Sequence, residues 1–580
     1  MSAIDPITLE VIRNALSATA DEMALIIMRS SYSPVIRDTM DFSTALCDAS
    51  GQAVAQGLTL AVQLGAFPDI MAIVTRDHAA GLVPGDVLIA NDPYGSGGQH
   101  LPDIYVIQPI FCEDRLCGYA TTMAHHSDVG GITPGSVAIH ATEMHQEGLC
   151  LPMLKLFEAG RQNDTLFKII ARNTRQPVQV LGDLRAQIAA CSAGARGLMA
   201  LVEKYGRPPL QRYLDTLLAQ AETAMRRAIA GIPDGRYEHA DFIDGIGEEP
   251  QALRIQVAVT VRGEEIEIDF AGTAAQIPAA INCPIAMARS AAYCAIRCLI
   301  DEDIPNCDGY MRPIRITAPA GTIVNPVSPA ACGARGVVGY RVFDTIMGAM
   351  SAVLPEKVIA GCEGGPSLFS VGGVHNGERF VLTEVMVGSW GARAACDGQE
   401  GISNPAANLS NQPVELIEAE LPLEIVQYGL VPDSGGAGRQ RGGLAFVREF
   451  RFLAEETEFT LRGDRRRHRP YGVAGGGQGG PSAHVFLPVG GTPRDLPTMP
   501  MQSFRAHAGD VFRLVSAGGG GFGDALERDP AQVTADVREG KVSQVAALRD
   551  YGVVLDGSGA SAAATAAERA RLRAEASDGR

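Results

Sequence analysis

The sequence predicts a mixed α/β (α+β) protein of several domains, weighted toward β-structure and joined by glycine-rich loops. Three observations carry that expectation. The chain has 580 residues, enough for about two to four domains at about 100–200 residues each. Helical periodicity is confined to a few separated segments. Beyond about residue 270, short apolar runs alternate with turns rich in glycine, of which the chain holds 66. Composition shifts near 235 and 435 divide it into an N-terminal domain (1–235), a central mixed region (236–435), a β-rich C-terminal region (436–556) and a tail (557–580) read as flexible or as a frayed helix.

Residues 5–30 read as a helix. Asp5 supplies a cap and Pro6 a first-turn proline, and Ile12, Leu16, Ala20, Met23 and Ile27 recur at helical spacing. Ser33-Pro34 breaks the pattern. A hairpin is expected next, from Phe42 to Cys47 and Gln52 to Gln56, turning at Asp48-Ala-Ser-Gly51. Further helices are expected over 176–203, 207–232 and within 281–300, and a second hairpin over Leu253–Val261 and Glu265–Phe270.

Composition excludes several classes. A net charge of −17 repels phosphate backbones and anionic membranes, so neither nucleic acid nor membrane is an expected partner. No long uncharged apolar run and no signal-peptide pattern occurs. The 12 cysteines form no CxxC pair, which fits free thiols in a reducing cytoplasm.

Five of the 11 histidines fall between His100 and His145. They direct attention to Asn91-Asp-Pro-Tyr-Gly-Ser-Gly-Gly-Gln-His-Leu-Pro-Asp103 and Ala124-His-His-Ser-Asp-Val-Gly-Gly131. Ile104–Phe111 and Gly118–Ala124 read as strands around a polar turn, Glu113-Asp-Arg115. A hairpin centred on Asp114 sets Asp103 opposite His125, with His100 nearby across a Leu-Pro bend. Two imidazoles and a carboxylate suit zinc, manganese or iron(II) rather than calcium. Asp41, beside a predicted strand, is the candidate fourth ligand. Polar loop residues that merely hydrogen-bond one another are the competing reading. His126 points the other way on a strand, as a group beside the ligands or toward substrate. Asp128 is placed to accept from a ligand histidine.

Other motifs carry less. There is no Walker A loop and no GxSxG. Gly475–Gly480 matches GxGxxG but precedes a strand, whereas Gly518–Gly523 follows a strand and offers an anion contact or a flexible turn. The basic run Arg462-Gly-Asp-Arg-Arg-Arg-His-Arg469 reads as a solvated or subunit-contacting face before a catalytic one.

Motifs throughout the chain resemble the hydantoinase B family, which includes the B-type component of ATP-hydrolysing N-methylhydantoinase. Its relatives are 5-oxoprolinase, caprolactamase, and acetone and acetophenone carboxylases. The resemblance rests on Asp5-Pro-Ile-Thr-Leu-Glu-Val-Ile12, Met40-Asp-Phe-Ser43, Asn91-Asp-Pro-Tyr94, His100-Leu-Pro-Asp103 and His125-His-Ser-Asp-Val-Gly-Gly131. It continues through Gln146-Glu-Gly148, Gly182-Asp-Leu-Arg-Ala-Gln187, Asp269-Phe-Ala-Gly-Thr273, Asp433-Ser-Gly-Gly-Ala-Gly438 and the Gly518 run.

The resemblance implies a cytoplasmic heteromer, such as A2B2, whose A-type partner binds ATP-Mg. It implies ATP-dependent opening of a cyclic amide: a hydantoin, 5-oxoproline or a lactam. It also implies a divalent transition metal on His100, Asp103 and His125, with Asp41 at a further ligand position. Phosphorylating the carbonyl oxygen activates an otherwise resonance-stabilised amide. Such a metal lowers the pKa of water and polarises a carbonyl. Glu147 and His126 are the candidate proton acceptors. The alternatives are a subunit of an ATP- and bicarbonate-dependent ketone carboxylase and a non-catalytic structural subunit.

Overall fold

The computed structural model describes residues 4–363, 367–556 and 559–578. Helix α1 (Pro6–Ser30) starts where expected. The Asp5 carboxylate accepts from the Thr8 N–H at 2.9 Å, Pro6 occupies the first turn, and Leu9, Ile12, Leu16, Ala20, Met23 and Ile27 form its buried stripe.

The helix packs on a seven-stranded antiparallel sheet. In spatial order this is β2 (Ala53–Gln56), β1 (Phe42–Asp48), β5 (Arg115–His125), β4 (Asp103–Cys112), β3 (Val87–Ala90), β6 (Leu154–Glu158) and β7 (Arg161–Gln162). Two of the three expected hairpins lie in this sheet, β1–β2 and β4–β5. The sheet is covered on both faces. Ile104, Val106, Ala120 and Ala124 join the main core shared with α1 and the long helix α2 (Pro177–Tyr205). The alternate residues Tyr105, Ile107, Tyr119 and Met123 pack against Phe67, Ile70 and Met71. This double burial is why β1 is buried at every position and β5 at every position from Cys117 on, rather than at alternate ones.

After α2 comes α3 (Arg207–Ile229). A second sheet follows, ordered β11 (Ile314–Thr317), β10 (Glu265–Asp269), β9 (Leu253–Arg262) and β8 (Gly235–Ile243). Helices α4 (Ile285–Cys298) and α5 (Gly336–Met350) pack beside it. The sequence reading assigned short strands and turns to the region of α5. All 15 residues of α5 are buried, so it has no polar face and shows no amphipathic period.

The C-terminal part stacks two sheets. One contains Ser367–His375, Glu378–Met386, Glu456–Arg462 and Phe504–His507; the other contains Leu423–Leu430, Phe446–Phe452, Ala483–Leu487, Arg494–Asp495 and Val511–Val515. Their shared core is aromatic: the Phe369 ring lies 4.5 Å from Phe450 and 5.2 Å from Phe512, both stacked.

Beside this sandwich the glycine-rich segments interlock. The N–H groups of Gly518, Gly519, Gly520, Gly521, Phe522 and Gly523 donate to the carbonyls of Gly480, Gly443, Gly361, Gly477, Gln440 and Val473. A Cβ at Gly518, Gly519 or Gly520 would stand 1.9–2.0 Å from the carbonyl oxygens of Ser434, Trp390 and Tyr471 respectively. Every amide donor of the run is therefore spent inside the fold, and the anion contact considered for this GxGxxG match is ruled out. The glycines are there because neighbouring backbones touch.

The first half of the basic run is also internal. Arg465 is buried on Asp241 (2.9 Å) and Asp344 (2.7 Å), and Asp244 accepts from the backbone of Arg466, Arg467 and His468. This first half ties the second sheet to the sandwich, while Arg467 and Arg469 are exposed, so the solvated reading holds only for the end of the run. The segment read as a flexible tail carries a helix, Ala562–Asp578. Arg569 fixes it by donating to the carbonyls of Tyr551 and Arg528. All 12 cysteines are free, and no helix among the described residues is long and apolar enough to cross a membrane.

A candidate metal centre at the end of the central strands

Strand β5 has β1 on one side and β4 on the other. Its last residue, His125, pairs with Asp103, the first residue of β4, as the hairpin argument requires. On the other flank Phe42 pairs with Ala124, and the His125 N–H donates to the Asp41 carbonyl at 3.0 Å. Asp41, His125 and Asp103 thus form one row across three strands. His100 enters from the preceding bend, where the Asp103 N–H returns to its carbonyl at 3.1 Å. Asn91 pins that bend, donating to the carbonyls of Leu101 (2.6 Å) and Leu149 (2.9 Å).

His100, Asp103 and His125 each offer one ligand atom, and the three atoms lie within 4.8 Å of one another. The His100 Nε2 and Asp103 Oδ1 are 3.2 Å apart but lack hydrogen-bond geometry. Both are buried without a partner, as is the His125 Nδ1. Buried polar atoms are rarely left so, and three residues that each leave one unpaired while their ligand atoms converge make a candidate site for a nitrogen- and oxygen-ligated cation. The residues present fit such an ion.

Electrostatics prepare the set for a cation. Burial, followed by the nearby Arg335, lowers His100 to about 4. Burial and the neighbouring His100 push His125 well below its ordinary value. Both rings are neutral at pH 7, with a lone pair free. Burial alone would raise Asp103, but Arg335 and then His100 outweigh it and hold the carboxylate ionised. Arg335 is buried, donating through Nη2 to Asp103 and, at 3.3 Å, to Gln99.

Asp41 lies outside the group of three. Its Oδ1 accepts from Gln63 Nε2 at 2.6 Å, and burial with the charge of Asp103 raises its carboxyl. It shares a small cavity with His125 and Arg335, adjacent to the centre. The His100 Nδ1 sits 3.1 Å from the Gly333 carbonyl, which orients the ring.

His126 and Glu147 do not meet the three ligand side chains. His126 Nε2 lies 3.0 Å from Gln187 Oε1, and Gln187 Nε2 donates to the Ile104 carbonyl. Glu147 accepts from the N–H groups of Cys332 (2.9 Å) and Gly333, which fixes the loop whose carbonyl holds His100. Burial raises its carboxyl to about 8 against those two N–H donors. Asp128 is not a partner of a ligand histidine. It accepts from Gly130, Gly135, Arg175 and Thr174 and so closes its own loop.

Arg335 and Gly333 were not found by sequence reasoning, because they come from a loop more than 200 positions away. One signal was available. Arg335 is the first charge after Arg315, and it sits between glycines in an apolar stretch, where a charge needs a buried partner.

The model of the family described as hydantoinase B/oxoprolinase matches residues 5–525. The chain is 35% identical to a putative D-/L-hydantoinase component of the B type from Pseudomonas sp. (strain NS671), over 96% of each chain. The solved ATP-dependent caprolactamase from Pseudomonas jessenii superposes with a TM-score of 0.92 at 30% identity, over 98% of this chain and all of that one. A nucleotide-free acetone carboxylase has the same fold, with a TM-score of 0.92 at 19% identity, over 98% of this chain and 83% of that one. The chain belongs to the hydantoinase B/oxoprolinase family.

Proposed function

We propose that this chain is the B-type component of an ATP-dependent cyclic amide hydrolase, and that His100, Asp103 and His125, with Asp41, hold a divalent transition metal. The observation that carries the reading is the convergence of ligand atoms of His100, Asp103 and His125, each of which also leaves a buried polar atom unpaired, at the end of β5. It occurs in a chain alike over its whole length to a B-type hydantoinase component and to an ATP-dependent caprolactamase. The N–H groups of Gly518 to Gly523 are all spent on carbonyls inside the fold, and the ATP site in this reading belongs to an A-type partner.

In the proposed reaction the γ-phosphoryl group passes from ATP to the carbonyl oxygen. Water adds to the activated carbon. The ring C–N bond breaks with its electron pair going to nitrogen, which takes a proton. Water then releases phosphate from the acyl phosphate. An ion at this site supplies Lewis acidity and lowers the pKa of water. The protein's part is positional. Arg335 keeps Asp103 ionised, Gly333 aims His100, and Glu147 holds Gly333. His126 and Glu147 are positioning residues in this reading rather than proton acceptors. The ketone carboxylase alternative rests on shared fold alone.

The test is co-expression with an A-type partner. Phosphate release from ATP is measured with hydantoins, 5-oxoproline, lactams, and ketones plus bicarbonate. Stimulation by a cyclic amide, with a ring-opened product by mass spectrometry, supports the reading. Stimulation only by a ketone with bicarbonate overturns it.

A further inference from the structure

The two strand-borne ligands of the candidate centre face one side of the sheet, and the long helix α2 packs on the other. Side chains alternate along a strand. Tyr105 and Met123 lie in the cluster with Phe67, so Asp103 and His125, two positions from each, share that face. Ile104 and Ala124 lie in the core shared with α2. The His126 N–H donates to the Pro102 carbonyl at 2.8 Å. That bond carries the β4–β5 ladder one residue past its end and turns the His126 ring toward α2.

Gln187 is the residue of α2 that meets this ring, and both side chains are fully buried. Its amide reaches both strand ends. Nε2 donates to the Ile104 carbonyl at 2.8 Å and to Thr122 Oγ1 at 3.4 Å, and Oε1 lies 3.0 Å from His126 Nε2. The two ends of the amide cannot be exchanged, because a carbonyl only accepts. Oε1 is therefore the acceptor, and a proton sits on His126 Nε2. The His126 Nδ1 is buried without a partner, so Gln187 alone fixes the ring by hydrogen bonding among the described residues.

The place of these bonds matters more than their number. Ile104 directly follows the ligand Asp103, and His126 directly follows the ligand His125. One planar amide thus sets the separation of the two chain positions from which the ligands project. It does so at the end of a hairpin, where a ladder opens most readily. A buried amide costs desolvation unless its bonds are made, and an apolar side chain of the same length would fill the space without that cost.

Building on the proposed metal reading, we infer that Gln187 is a positioning residue of the centre. From the back of the sheet its amide clamps the ends of β4 and β5 at the separation that lets Asp103 and His125 bind one ion.

The test uses the full-length chain with Mn(II) and Zn(II) as probes. Affinity is read by competition with a chelator, and ligand geometry by X-ray absorption of the bound ion. Gln187→Met keeps the length and loses both bonds. It is expected to weaken both ions roughly tenfold to a hundredfold, as loss of a group that orients metal ligands does, and to widen the spread of ligand distances. Gln187→Glu keeps the bond to His126 and loses the one to Ile104; its loss is expected to be smaller, and it serves if the Met variant does not fold. Leu184→Ala, a core truncation on the same helix, is the control for general loosening. It should lower the melting temperature and leave affinity within about twofold.

Wild-type affinity and an unchanged absorption spectrum in the Gln187 variants overturn the inference and leave the metal reading standing. An equal loss of affinity in Leu184→Ala also overturns it, since any softening of the helix would then suffice. A wild-type chain that binds neither ion overturns the metal reading, and the inference with it.

Discussion

Replacing Asp103 with Asn separates two roles that one carboxylate performs. The substitution keeps the side-chain volume and removes the charge. It takes a ligand from the cluster and leaves Arg335 buried, with Gln99 at 3.3 Å as its remaining side-chain partner. Breaking a buried ion pair from one side costs about 3–5 kcal/mol, because the surviving charge stays desolvated. Removing both charges, as Asp103→Asn with Arg335→Met, restores most of that loss. Ligation is not restored, since the oxygen donor is still gone. Urea unfolding of metal-free protein reads the first quantity, and metal content after dialysis reads the second. The single variant should lose about 3–5 kcal/mol and its metal; the double variant should regain stability and still lack metal. A single variant as stable as the parent, or one that keeps its ion, would refute the reasoning.

Three other outcomes follow from the same structure. Glu147 is held at about 8 in the fold against an ordinary 4.5. A raised carboxyl binds its proton more tightly when folded, so its contribution is full below about pH 4.5 and is lost as the pH rises through about 8. Glu147→Gln should remove that dependence and gain stability relative to wild type between pH 5 and 9, by on the order of a few kcal/mol; parallel stability curves would count against it. Gly519→Ala forces a Cβ to within 2.0 Å of the Trp390 carbonyl, and should cost about 3 kcal/mol or more, or abolish soluble expression. A change within about 0.5 kcal/mol would show that the glycine bundle is slack. Phe369→Ala should cost about 3–5 kcal/mol by emptying the centre of the sandwich, while metal content, measured on the folded fraction, stays at the wild-type level.

Parts of the fold were readable where local chemistry decides the outcome. The polar turn at Glu113–Arg115 between two apolar runs sets the β4–β5 register. That register alone brings Asp103 to His125. Asp5-Pro6 and a regular apolar stripe set α1. What escaped was decided by distant partners. Helix α5 is buried on all sides, so periodicity says nothing about it. Arg465 in the basic run looks solvated until Asp241 and Asp344 are placed around it. The Gly518 run resembles a phosphate loop until each of its N–H groups is assigned a carbonyl from another segment. Glu147 looks like a free acid in sequence, yet its partners are backbone N–H groups about 185 residues away. Side chains that act by holding a remote backbone leave no local spacing to read.

The most direct test of the metal centre is elemental analysis and X-ray absorption on the purified full-length chain and its His125→Ala variant. The account predicts one divalent transition ion per chain, a nitrogen and oxygen shell with imidazole scattering, and loss of the ion in the variant. A chain without stoichiometric metal, an ion with a cysteine-sulfur shell, or a variant that keeps the wild-type spectrum would contradict it.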